Sequence, residues 1–260
     1  MRAAMRFFAV NLIVALAFAT LQIGSAAAAS FECRETPMMQ AAIPLPAVAA
    51  KISREHKLDI LAIGSSSTEG IGASSKDKSY PARLQKLLGQ SWPNAAISVT
   101  NAGIGGETAP QTIARLKRAL SERRYDLVIW QVGTNDAVQG GDLAAFEAMV
   151  SDGITAVRQA GSGLVILDPQ YFPTVKDPER YRSFVEAIAD TARSRSIPVL
   201  SRYNTMRDWH RRDANAFAAV LASDGFHMSD TGYDCLARDM AVSLLGMTLP
   251  GRSHTAQAAQ

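Results

Sequence analysis

Short apolar runs alternate along this chain with longer segments of helical periodicity. Five apolar runs have the length of buried strands, and they occupy residues 58–64, 97–100, 127–132, 164–167 and 199–200. Helical segments surround them at 49–56, 80–88, 110–122, 143–159, 178–194 and 231–245. Strands separated by helices of this length form parallel βαβ units with helices on both faces of the sheet. The pattern therefore predicts a three-layer, doubly wound α/β sandwich around a central, mainly parallel five-stranded sheet.

The first 29 residues differ from the rest of the chain. Arg2 and Arg6 precede an apolar run at 7–21, and small residues follow at 25–29, which is the pattern of a cleavable secretory signal peptide. A membrane anchor is the weaker interpretation, because a spanning helix needs about 20 apolar residues. We expect a secreted or periplasmic protein with a signal peptide at 1–29, a lead-in at 30–57, one domain at 58–248 and a flexible tail at 249–260.

Composition and charge narrow the classes of partner. The chain has 260 residues, of which 47% are hydrophobic and 20% are charged, and this suits one folded domain. Without residues 1–29 it has 25 Lys and Arg against 24 Asp and Glu, so the net charge is near +1. With no basic stripe interleaved with aromatic residues, we expect no nucleic acid partner. We also expect no stable membrane insertion, and the oligomeric state stays open.

Two cysteines bear on the compartment and on metal binding. In an oxidising compartment Cys33 and Cys235 suggest one disulfide, and the alternative is two separate, buried thiols. We expect no metal, because no pair of histidines or cysteines has ligand spacing. A nucleotide or flavin cofactor is also not expected, since residues 64–70 match neither the Walker pattern nor the dinucleotide fingerprint.

Small and polar residues follow each of the first three predicted strands, at 64–68, 101–108 and 133–136. Parallel sheets of this kind bind ligands outside the carboxyl ends of their strands, so these segments predict a shallow polar site. The same flavodoxin-like architecture also serves flavin-binding and response-regulator domains. The fold alone therefore predicts where a ligand binds and not what chemistry it meets.

The chemistry comes from a fourth segment, in which Asp224 stands three residues before His227. At this spacing one tight turn lets the carboxylate accept a hydrogen bond from Nδ1 of the imidazole, which leaves Nε2 free to act as a general base. The serines after the first strand are the candidate nucleophiles on the same edge of the sheet. The alternative for an isolated Asp-x-x-His is an ordinary surface turn.

In order and spacing, these four segments resemble the four sequence blocks of the SGNH hydrolase (GDSL-like esterase/lipase) superfamily, over nearly all of the chain after residue 29. The resemblance implies a catalytic triad of Ser66, His227 and Asp224. It also implies an oxyanion hole formed by the backbone N–H groups of Ser66 and Gly106 and by the side-chain amide of Asn135. The implied activity is that of a serine esterase that forms an acyl-enzyme without a cofactor.

One residue departs from the family pattern. Ser65 stands where the family usually has Asp, so the hydrogen bonds that this Asp makes in the nucleophile turn must come from elsewhere. The departure removes no catalytic group, because the carboxylate that orients His227 is Asp224. It puts the rate or its pH dependence in doubt rather than the mechanism.

The sequence motifs indicate an ester substrate without selecting one class of ester. The resemblance implies a small-molecule or glycan ester: an acetylated glycan, an aryl ester or a lysolipid. Side chains flanking the site in sequence either line a pocket or belong to the core: Trp130, Tyr171, Phe172, Phe226 and Met228. Residues 168–171 are expected to form a wall of the cleft. The alternative function is a non-catalytic carbohydrate- or lipid-binding protein on the same scaffold.

Overall fold

The computed structural model describes residues 31–33 and 43–248, so the predicted signal peptide and C-terminal tail lie outside the described residues. Its central sheet has five parallel strands in the order β2-β1-β3-β4-β5. The strands are β1 (Lys57–Gly64), β2 (Ala96–Gly103), β3 (Leu127–Gln131), β4 (Gly163–Leu167) and β5 (Val199–Leu200). This order confirms the predicted doubly wound fold.

Ten α-helices surround this sheet in the described part of the chain. They are α1 (Pro46–Glu55), α2 (Ser66–Glu69), α3 (Tyr80–Ser91), α4 (Ala109–Glu122), α5 (Thr134–Val138), α6 (Leu143–Gln159), α7 (Pro178–Ser194), α8 (Arg202–Arg212), α9 (Ala214–Phe217) and α10 (Asp230–Thr248). Among these residues no helix is both long and apolar enough to cross a bilayer. All six predicted helical segments are present, with ends that differ by at most three residues.

Both faces of the sheet are buried, and the side chains alternate between two core layers. Along β1, Ile60 and Ala62 enter the layer covered by α1, α3 and α10, while Leu61 and Ile63 enter the layer covered by α4, α6 and α7. Because both faces are buried, each parallel strand appears in the sequence as a continuous apolar run. Trp130 belongs to the second layer with no exposed surface, so it is a core residue and not part of a pocket.

The apolar pattern did not predict α8, and the reason lies in its composition. Residues 202–212 are mostly polar or charged, yet Arg202, Met206 and Trp209 share a buried face at helical spacing. The side chain of Ser201 caps the helix by accepting a hydrogen bond from the backbone N–H of Asn204. Because the buried face includes an arginine, hydrophobic periodicity is too weak to show this helix.

The predicted disulfide is confirmed: Cys33 is bonded to Cys235, with 5.1 Å between their Cα atoms and a sequence separation of 202. The bond ties the start of the described chain to the first turns of α10. Beside it, the ring of Phe31 packs edge-on against Trp209 of α8, with 5.5 Å between the ring centroids. The N-terminal segment is therefore held against both α8 and α10.

Removing this bond is expected to lower stability substantially. The chain-entropy model gives at most about 5 kcal/mol for so long a loop, and about 2–4 kcal/mol is typical. The double variant C33S/C235S should therefore melt on the order of 5–15 °C below the unmodified protein. Calorimetry with and without reductant measures this, and the reductant should not change the melting temperature of the double variant. Equal melting temperatures for the oxidised and the doubly substituted protein would contradict the prediction.

Candidate active site

The candidate nucleophile, Ser66, is the first residue of α2 and follows directly from the carboxyl end of β1. Close packing shapes this turn, because a Cβ added to Gly64 would lie 2.6 Å from both Gln131 Oε1 and Thr68 Oγ1. Only glycine leaves room for those two side chains. The turn presents Ser66 at the edge of the sheet with 8% of its surface exposed.

Gln131, the last residue of β3, holds the nucleophile turn. Its Oε1 accepts hydrogen bonds from the backbone N–H of Ser65 (2.8 Å), from Ser65 Oγ (3.1 Å) and from Thr68 Oγ1 (3.3 Å). This buried amide thus stabilises the turn in a chain that has Ser65 where the family usually has Asp. The available sequence signal was a single polar residue at the end of an otherwise apolar strand.

The side chains of Ser66, His227 and Asp224 form one continuous hydrogen-bonded row. His227 Nε2 lies 2.9 Å from Ser66 Oγ, and His227 Nδ1 lies 2.6 Å from Asp224 Oδ2. Because a carboxylate can only accept, Nδ1 carries the proton, and Nε2 is then free to accept from the serine hydroxyl. The structure therefore brings together the three side chains that the sequence pattern singled out.

A tight turn orients His227. The second carboxylate oxygen of Asp224, Oδ1, accepts from the backbone N–H groups of Phe226 and His227, both at 2.9 Å. Gly225 adopts a φ of 65° inside the turn, in the left-handed region that favours glycine. Partial burial raises the pKa of Asp224, but the hydrogen bonds from the His227 ring and these two N–H groups lower it more. The net pKa lies below its ordinary value, which favours an ionised carboxylate beside the imidazole.

The segment after β2 lies alongside Ser66. A Cβ added to Gly105 would lie 3.8 Å from Ser66 Cβ, and Gly106 follows with a φ of 79° and open space where a side chain would be. From the other side, Asn135 Nδ2 donates to the backbone carbonyl of Glu107 at 2.8 Å. The structure thus joins Asn135 to the loop that contains Gly106, at the edge of the sheet where Ser66 lies.

Arg115 of α4 holds this loop in place, a role that the sequence pattern did not predict. Its Nε donates to Glu107 Oε1 at 2.8 Å, its Nη1 to the carbonyl of Ala102 at 2.8 Å and its Nη2 to the carbonyl of Gly64 at 3.2 Å. One guanidinium group therefore connects the ends of β1 and β2 with Glu107. A lone arginine on an amphipathic helix carries no sequence signal for such a role, because it resembles any solvated charge.

A second amide links the nucleophile turn to the histidine turn. Gln170 Oε1 accepts from Ser67 Oγ at 2.7 Å, and Gln170 Nε2 donates to the carbonyl of Phe226 at 3.2 Å. Gln170 is fully buried, and Asp168 is 2% exposed. The expectation that residues 168–171 wall the cleft is therefore wrong for these two buried side chains, of which Gln170 supports the two turns.

Asp168 makes its contacts inside the protein. It accepts from the backbone N–H of Tyr203 at 2.9 Å and from Ser201 Oγ at 2.8 Å. Burial raises the pKa of this carboxyl to about 7 in spite of those hydrogen bonds. Within residues 31–33 and 43–248, no three His, Cys, Asp or Glu side chains are grouped so that they could hold a metal ion.

The aromatic side chains near the site divide between core and surface. Met228 is fully buried and Phe172 nearly so, while Tyr171 and Phe226 keep part of their surface exposed. The Phe226 ring packs edge-on against both Phe172 and His227, with 4.8 Å between centroids in each pair. Phe226 therefore shields one side of the imidazole from water.

A parallel five-stranded α/β sandwich with this residue arrangement at its carboxyl edge defines the class of the protein, the SGNH (GDSL-like) esterase superfamily. Within that class, the chain belongs to the Non-GDSL lipase-like family, whose model matches residues 32–248. The name of this family fits the chain, because Ser65 stands where a GDSL sequence has Asp.

Individual relatives are distant esterases. An acetylxylan esterase of Geobacillus stearothermophilus is 25% identical over 175 residues, which cover 61% of this chain and 77% of the relative. An arylesterase of Vibrio mimicus is 28% identical over 91 residues, covering 35% of this chain and less than half (44%) of its own length. The crystal structure of TesA superposes with a TM-score of 0.62 at 21% identity, over 72% of this chain and 98% of that one. The TesA structure supports the fold, while the family and the two esterase relatives support a carboxylic ester hydrolase.

Proposed function

We propose that the protein is a serine esterase in which Ser66 attacks the ester carbonyl and becomes acylated. The observation that supports this most directly is the row of hydrogen bonds from Ser66 Oγ through His227 to Asp224. In the first step His227 Nε2 takes the proton of the serine hydroxyl as Oγ bonds to the carbonyl carbon. Asp224 stabilises the imidazolium that forms and keeps the ring in place.

In the proposed reaction a tetrahedral intermediate forms next and collapses. Its oxyanion accepts hydrogen bonds from the backbone N–H groups of Ser66 and Gly106 and from the Asn135 side chain. His227 then gives its proton to the leaving alcohol, and the acyl group stays on Ser66. A water molecule, deprotonated by His227, then attacks the acyl carbon. As the bond between this carbon and Ser66 Oγ breaks, His227 returns the proton to Oγ and the carboxylic acid is released.

A fluorophosphonate probe separates this proposal from a non-catalytic binding protein on the same scaffold. Such probes react with an activated serine, so the folded protein should be labelled once, on the peptide that contains Ser66. A binding protein would stay unlabelled. The relatives named for acetylxylan and aryl esters support acetylated glycans and aryl esters as the first substrates to assay.

Arg115 is expected to act on this reaction as a positioning residue, since it fixes Glu107, whose carbonyl holds Asn135. R115A should lower kcat by about 10- to 100-fold with little change in KM, because small displacements of catalytic groups cost rates of this size. The matched control is R118A, on the exposed side of the same helix, where Arg118 pairs with Glu122. R115K keeps the positive charge but lacks the planar guanidinium and its several N–H donors. It should therefore recover only part of the lost kcat. Unchanged kcat in folded R115A would contradict this role.

We also propose that the mature protein works outside the cytoplasm. The bonded pair Cys33 and Cys235 is stable in an oxidising compartment, and the sequence of residues 1–29 has the pattern of a secretory signal. The proposed domain boundaries follow from this, with a mature chain that starts near residue 30. N-terminal sequencing of the exported protein tests the cleavage point.

A further inference from the structure

Exposed aliphatic side chains are concentrated around the proposed site. In the described part of the chain the large hydrophobic residues with exposed side chains are Ile71 (41%), Ile104 (47%) and Val138 (47%). Single exposed apolar residues are normal on a protein surface. These three, however, follow β1, β2 and β3, which are adjacent in the sheet and carry the proposed catalytic loops. Apolar surface that collects in one place marks a binding site more often than chance exposure does.

The backbone of Ile71 is hydrogen-bonded to the nucleophile turn and comes just before the residue that packs on the histidine turn. Its backbone N–H donates to the carbonyl of Ser66 at 3.0 Å. The next residue, Gly72, packs so closely on the histidine turn that an added Cβ would lie 3.0 Å from His227 Cβ. Ile71 therefore belongs to the segment that connects the nucleophile turn with the histidine turn.

Ile104 and Val138 lie on the oxyanion side. Ile104 precedes Gly105, which packs beside Ser66, and its backbone N–H donates to the carbonyl of Gly64 at 3.1 Å. Val138 ends α5, the short helix that contains Asn135. Both aliphatic side chains are thus attached to the loops that flank the proposed oxyanion hole.

The carboxylates on these loops are already engaged by protein groups. Glu69 Oε2 accepts from the backbone N–H of Gly105 at 2.7 Å. Glu107 is paired with Arg115, and Asp224 with His227. Each of these three carboxylates therefore has a hydrogen-bond partner in the protein.

We propose that Ile71, Ile104 and Val138 form an apolar rim that binds the hydrocarbon part of the ester substrate. The inference rests on the proposed esterase function and narrows its substrates to esters with an apolar acyl chain or an apolar alcohol. Aliphatic side chains offer no hydrogen bonds to sugar hydroxyls, whereas each methylene group that leaves water against them favours binding. Full burial of one methylene changes an equilibrium about fourfold, so about twofold is expected on an open rim.

The experiment compares two ester series in the full-length mature protein. In the first, p-nitrophenyl acetate, butyrate and hexanoate keep the alcohol constant while the acyl chain grows. In the second, methyl, ethyl and benzyl acetate keep the acyl group constant. The test variant is I71S/I104S/V138S, and the matched control is I71L/I104L/V138I, which keeps an aliphatic surface. For each protein, kcat/KM is measured along both series after the active fraction has been titrated with fluorophosphonate.

In at least one series, the unmodified protein and the aliphatic control should both gain about tenfold or more in kcat/KM from the smallest to the largest ester. The serine variant should lose most of that gain. Selectivity in the first series identifies the acyl chain as the ligand of the rim, and selectivity in the second identifies the alcohol. The proposed rim is contradicted if kcat/KM of the unmodified protein does not change along either series. It is also contradicted if the serine variant keeps the whole gain in kcat/KM. Failure of the esterase proposal looks different, because no ester is then hydrolysed and Ser66 is not labelled.

Discussion

Replacing Ser66 with alanine is expected to abolish fluorophosphonate labelling and to lower ester turnover by on the order of 10⁶, the loss typical of a serine hydrolase without its nucleophile. The neighbouring hydroxyl groups in this turn have other contacts: Ser65 and Thr68 donate to Gln131, and Ser67 donates to Gln170. H227A should be nearly as damaging as S66A, because the triad acts as a unit, and D224N somewhat less so. Labelling and steady-state kinetics of each purified variant measure the losses.

The control for S66A lies in the same turn. S65A and S67A remove a neighbouring hydroxyl group without touching the row that connects Ser66 to Asp224, so most labelling should survive in both. Thermal melting checks that each variant is folded. If a folded S66A protein still reacts with the probe, the nucleophile is another residue and the proposed mechanism is wrong.

Replacing Asn135 with alanine is expected to have the next largest effect. The Asn135 amide donates one hydrogen bond to the carbonyl of Glu107, which holds it at the loop, and its second N–H is the proposed donor to the oxyanion. Removal of one well-placed donor lowers kcat by about 10² to 10³, or roughly 3–4 kcal/mol of transition-state stabilisation. KM should change little, because the donor acts on charge that develops in the transition state.

A matched asparagine controls for this substitution. Asn94 is exposed and lies just before β2, at the edge of the sheet opposite to the site, so N94A should stay close to the unmodified rate. Substrate titrations give kcat and KM separately for both variants, and their melting temperatures show whether they fold. A loss below about threefold in folded N135A would mean that the two backbone donors suffice and that Asn135 only shapes the loop.

Contacts close in sequence were predictable from the sequence. A three-residue spacing lets one turn join Asp224 to His227, so this half of the candidate site could be proposed from the pattern alone. The strands were predictable because both faces of a parallel sheet are buried, which requires apolar runs. The remaining members of the site, Ser66, Gly106 and Asn135, were assigned through the family resemblance, and the structure brings them to the same edge of the sheet.

The supporting residues depended on tertiary structure. Gln131 meets Ser65 across 66 positions and Gln170 meets Ser67 across 103, and neither amide belongs to a recognisable motif. Arg115 looks like a surface charge until the fold places it between two strand ends and Glu107.

By itself, therefore, the sequence determined the layers, the alternation of strands with the six amphipathic helices and the local turn that orients His227, because hydrophobic burial and short-range hydrogen bonds leave periodic or fixed-spacing patterns. Only the tertiary structure decided which distant polar side chains hold the nucleophile turn and which aliphatic side chains stay exposed. Contacts of this kind depend on where the folded backbone places each side chain, and no spacing along the chain encodes that position.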